Sequence, residues 1–77
     1  MRVDTVFKIL DRSDGKARVT IFRRADGLAH YIEEAEEQEM ITGEYFMACR
    51  YGSGLHENPE AAERDARASI SWLKNSN

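Results

Sequence analysis

Three successive segments of this chain are rich in β-branched and aromatic residues, and the two-residue period of a β-strand sorts their side chains onto two faces that both carry apolar residues. They run roughly from Val3 to Arg12, from Lys16 to Arg24 and from Leu28 to about Glu36. The gaps between them read Ser13-Asp14-Gly15 and Ala25-Asp26-Gly27. Each suits a three-residue hairpin loop, a type I turn closed by glycine in the left-handed region. Loops of that length set Arg12 opposite Lys16 and Arg24 opposite Leu28. Counting back along the strands, one sheet face carries Phe7, Ile9, Val19, Ile21, Ala29 and Tyr31. The other face carries Val6, Phe22 and His30 in one row, Lys8, Thr20 and Ile32 in the next, and Leu10, Arg18 and Glu34 in a third. Lys16 meets Glu36 beyond them. Two opposite-charge pairs, Arg18–Glu34 and Lys16–Glu36, thus follow from turn chemistry alone. A two-residue loop would slide the faces by one and set Lys8 against Ile21, a poorer arrangement.

The periodicity is lost over residues 37–43. Helix propensity is high from Glu33 to Met40, so a helical turn competes with strand there. We favour a long connection ending at Thr42-Gly43. A fourth strand, Glu44 to Tyr51, is rich in aromatics and is stopped by Gly52-Ser53-Gly54. The period then changes to that of a helix. Asn58 is a good N-cap, and Pro59 suits the first helical position, where a missing N–H costs little. Glu60–Arg64 and Glu63–Arg67 are i,i+4 pairs in the favourable orientation. Ala62, Ala66, Ile70 and Leu73 form a stripe that Ala61, Ala68 and Trp72 widen. Trp72 needs a partner for its indole N–H if it is buried. The helix is expected to stop near Lys74. The prediction is a single α+β domain of order β-β-β-β-α, an antiparallel meander of three to four strands packed on one face by one C-terminal helix.

Composition narrows what such a domain can do. The 77 residues are 42% hydrophobic and 32% charged, which suits a globular domain with a marginal core. Apolar stretches are short, so no membrane span is expected. The start, Met1-Arg2-Val3-Asp4, lacks the apolar core of a signal peptide. With the lone Cys49, this points to a reducing, cytoplasmic setting. The net charge of −3 hides an asymmetry. Residues 1–30 carry seven bases against four acids (+3), residues 31–47 six glutamates and no base (−6), and the remainder four of each.

No constellation for catalysis emerges, and no cofactor or metal is expected. His30, His56 and Cys49 lack metal-ligand spacing. The glutamates at 33, 34, 36, 37, 39 and 44 lack the Asp/Asn and Gly offsets of a calcium loop. Gly52-Ser53-Gly54 lies too far from the helix start to cradle phosphate, and no Walker lysine follows.

The strands-then-helix order, with Gly-x-Gly ahead of the helix, resembles a double-stranded-RNA-binding domain in outline over about the last thirty residues. That family has lysines at the helix start and a preceding helix. Here the start reads Asn58-Pro59-Glu60 and no earlier helix is predicted. Pro59-Glu60-Ala61-Ala62-Glu63 resembles the acidic, Ala-rich helix start of HicB-type antitoxin domains, although their element order differs. The chain is assigned to neither family. A nucleic-acid-binding or antitoxin-like role would use Lys16, Arg18 and Arg24, against the overall acidic balance.

The leading expectation is a non-catalytic protein-interaction module, homodimeric through the sheet or bound to another protein. The second apolar face motivates it. Val6, Leu10, Phe22, His30 and Ile32 are its candidate interface residues, because one short helix covers only one face.

Overall fold

A computed structural model describes residues 4–74. The start of the first segment at Val3 therefore lies outside the described residues. Four antiparallel strands, β1 (Thr5–Asp11), β2 (Ala17–Arg23), β3 (Ala29–Gln38) and β4 (Tyr45–Gly52), form one sheet in chain order. Helix α1 (Pro59–Ser69) and a short α2 (Ser71–Lys74) follow. The architecture is the expected α+β arrangement.

The second hairpin has the predicted loop. Arg24 N–H donates to Leu28 O (2.7 Å), Gly27 N–H donates to Arg24 O (3.0 Å), and Gly27 has φ +90°. The β2–β3 register follows as counted: Arg18 opposes Glu34, Thr20 opposes Ile32, Ile21 opposes Tyr31, and Phe22 opposes His30.

The first hairpin differs. Arg12 N–H donates to Ala17 O (2.9 Å), so the loop spans Ser13 to Lys16, one residue longer than expected. The Asp14 carboxylate holds it by accepting from Lys16 N–H (2.9 Å) and Arg12 Nε (2.8 Å). A bulge at Phe7 then restores the expected pairing of Val6 with Phe22. Between loop and bulge, β1 is turned over. Lys8 opposes Ile21, Ile9 opposes Thr20, and Leu10 opposes Val19. Leu10 thus packs against the core instead of lying on the far face, and Ile9 takes the far face. Phe7, expected in the core, is exposed. The arrangement set aside as poorer has a physical reason. Lys8 reaches over the sheet to Glu63 on α1 (Nζ–Oε1 3.0 Å), so the charge it brings to the helix side is answered there.

Residues 37–43 are not a long connection, and the helical turn weighed against it survives only as a single i,i+4 bond at the tip of a hairpin. β3 continues to Gln38, and a tight hairpin closes with Glu39 N–H donating to Glu44 O (2.7 Å) and Gly43 N–H to Glu39 O (2.8 Å). Gly43 takes the positive φ (+75°) that the reversal requires. Tertiary pairing has overridden local helix propensity. A bulge between Cys49 and Tyr51 twists β4.

α1 begins as expected, with Asn58 Oδ1 accepting from Ala61 N–H (2.7 Å). It ends sooner than expected, because Ile70 is extended (φ −90°, ψ 119°) and separates α1 from α2. That break turns Ile70 and Leu73 into the core beside Val19, Ile21, Ala29, Tyr31, Ala62 and Ala66. The alanines let α1 lie close on β2 and β3.

Candidate interaction surface

Each cross-strand row places its side chains on a common face. On the side away from α1, Val6, Phe22 and His30 form the first row. Ile9, Thr20 and Ile32 form the second, with Gly52 at its end. Asp11, Arg18, Glu34 and Cys49 form the third, and Glu36 and Met47 lie beyond. Among the described residues, no element covers this face. Val6 is 55% exposed and Ile9 49%, whereas Phe22, Ile32 and Met47 are half-buried by their neighbours on the sheet.

Four of the five predicted interface residues come together here: Val6, Phe22, His30 and Ile32. Leu10 does not, because the turned segment of β1 carries it to the core. The His30 ring stacks on Phe22 (centroids 5.1 Å apart), with Nε2 3.9 Å from the Asp4 carboxylate. Reading the sequence missed Ile9 and Met47. Ile9 was hidden by a bulge that no residue type signals. Met47 needed the β3–β4 register.

The basic residues of the nucleic-acid alternative are not gathered as a phosphate-binding row. Arg18 pairs with Glu34 (Nε–Oε1 3.0 Å) and Arg24 with Asp26 (2.9 Å). Lys16 sits in the first loop, where its carbonyl accepts from Glu36 N–H (2.8 Å), but no side-chain pair between Lys16 and Glu36 forms among the described residues.

The opposite side holds a polar array. Tyr31 O–H donates to Asp65 (2.8 Å), the His56 ring stacks on Tyr31, and His56 Nε2 lies 3.7 Å from Asp65. Burial, then the hydrogen bond to Asp65 and that carboxylate's charge, push the Tyr31 phenol above its ordinary pKa. Tyr31 therefore holds its proton further into alkaline pH than a free phenol, and its hydrogen bond to Asp65 fastens strand to helix. Among the described residues, no group of three metal-ligating side chains converges, and no helix is long and apolar enough to cross a membrane.

No family model, curated protein or solved structure matches the chain.

Proposed function

We propose that this chain is a non-catalytic protein-interaction module whose partner is a second copy of itself, joined back to back through the sheet. The observation that carries the reading is the apolar band Val6, Ile9, Phe22, Ile32 and Met47 on a face left open. Val6 and Ile9 keep about half their surface in water, so covering them is worth roughly 1 kcal/mol each. The slab measures 42 × 35 × 16 Å. Its broad side has room for the roughly 800 Å² per partner that a standard interface covers. Two such sheets would stack about 10 Å apart, as in a sandwich.

Charge favours a copy of the same chain over an unrelated partner. Arg18 and Glu34 stand side by side on β2 and β3. A two-fold axis along the strands, between β2 and β3, lays Arg18 of each protomer over Glu34 of the other. The face is then complementary to itself. A reducing, cytoplasmic location belongs to the same proposal and rests on the exposed thiol of Cys49.

Light scattering during size exclusion tests the proposal. A dimer is expected at high micromolar concentration, and Phe22→Asp should give a folded monomer. A wild-type monomer at that concentration overturns it. Unfolding of Phe22→Asp would place Phe22 in the core and remove the face from consideration.

A further inference from the structure

On the helix side, where β4 passes the break between α1 and α2, a cleft of ≈ 400 Å³ is lined by Glu33, Tyr51, Ser69, Ile70 and Ser71. Three local features build it. The extended conformation of Ile70 sends that side chain inward and leaves Ser69 and Ser71 at the rim. The β4 bulge sets Tyr51 opposite Glu33, with the Tyr51 ring half-exposed and its centroid 6.0 Å from that of Tyr31. The Trp72 indole N–H donates to Glu33 Oε2 (3.0 Å), which fixes the carboxylate in the wall.

Glu33 and Glu36 are the glutamates of β3 with no ion-pair partner among the described residues, and of the two only Glu33 lines the cleft. Glu34 has Arg18, Glu37 has Arg50, and Glu63 has Lys8 and Arg67. Half-buried Glu33 has one neutral indole donor and, among the described residues, no cation within ion-pair distance. Arg12, whose charge reaches it, is held by Asp14. A partly desolvated carboxylate beside an aromatic face and two hydroxyls suits a cation with N–H donors. We propose that this cleft binds an alkylammonium group, either a lysine side chain of a partner polypeptide or a free aliphatic amine. Glu33 supplies the counter-charge, Tyr51 the ring face, and Ser69 and Ser71 the remaining acceptors. The cleft is on the face opposite the proposed dimer contact, so the two proposals stand or fall separately.

Trp72, the only tryptophan in the chain, reports on the site directly. Its emission and its indole N–H resonance would be followed during titration with N-acetyl-lysine methylamide, with putrescine, and with the uncharged N-acetyl-norleucine methylamide. A saturable change with the ammonium probes and none with the norleucine probe is expected. Tighter binding of the lysine probe identifies a polypeptide source, and tighter binding of putrescine a free amine. Glu33→Gln keeps an acceptor for the indole and should weaken binding at least about ten-fold while the fold is retained. Tyr51→Leu, which removes the ring and leaves the charge, should weaken it less. Lack of saturation by either ammonium probe at tens of millimolar overturns the proposal. So does an equal response to norleucine, or unchanged affinity in both variants.

Discussion

Tyr31 shows how one side chain couples the two layers. Its ring is fully buried in the core, and its hydroxyl reaches Asp65 on α1. Tyr31→Phe should lower stability at neutral pH by about 1 kcal/mol, the value of one such hydrogen bond. The pH dependence has a definite sign. An unfolded tyrosine ionises near pH 10, while the folded phenol holds its proton beyond that. Above about pH 10 the unfolded state therefore binds fewer protons than the folded one, and stability falls as pH rises. Urea midpoints for both proteins at one concentration should show a gap that narrows above about pH 10. A gap that stays constant would mean burial does not govern this phenol. Glu63 acts at the acid end. Burial opposes its ionisation, but hydrogen bonds from Lys8 and Arg67 outweigh it and hold the carboxyl below its ordinary pKa. Its contribution is present above the unfolded carboxyl range and fades as pH falls through the lowered value. In Glu63→Gln the acid-side slope should be shallower, with a small effect because the pair is partly solvated.

At the scale of elements, signals confined to a few neighbouring residues were readable and those set across the chain were not. The Ala25-Asp26-Gly27 loop, the Asn58-Pro59 helix start and the Ala62/Ala66 stripe are local chemistry, and each forms as read. The side taken by Leu10 depends on a four-residue loop at one end of β1 and a bulge at Phe7 at the other. Ser13-Asp14-Gly15 is compatible with either loop length. The turned segment packs Leu10 on the core and sets Lys8 beside Glu63, 55 residues away, contacts that a local reading does not contain. The same competition makes Glu33 to Gln38 a strand despite helical propensity, because β4 supplies partners for their backbone. Two substitutions test the local signals. Asn58→Ala should cost about 1 kcal/mol by leaving the first-turn N–H unpaired. Gly27→Ala should cost a similar amount, since a Cβ there meets no atom within 4 Å and only the positive φ resists it. Gly54→Ala, also in open space and without that φ, should be near neutral in the same denaturation series.

For the whole molecule, the question is why a two-layer slab only 16 Å thick leaves one broad face apolar. The sequence disclosed that face through Val6, Phe22 and Ile32, whose parity survives the bulge. It could not disclose the full site, since Ile9 and Met47 reach the face only through pairings made in the fold. If the face is covered by a second copy in the two-fold arrangement proposed, the charges at its centre must cross over. Arg18→Glu alone then places four carboxylates around the axis, and Glu34→Arg alone places four guanidinium groups. Like charges so placed cost several kcal/mol at a contact, so each single variant should be a folded monomer by light scattering at concentrations where the wild type is a dimer. Exchanging both restores alternating signs within and between protomers, and the double variant should recover the dimer in large part. Loss of dimer in the singles without recovery in the double would place Arg18 and Glu34 in the contact but reject this axis. Dimers that persist through all three variants would put the contact elsewhere on the molecule.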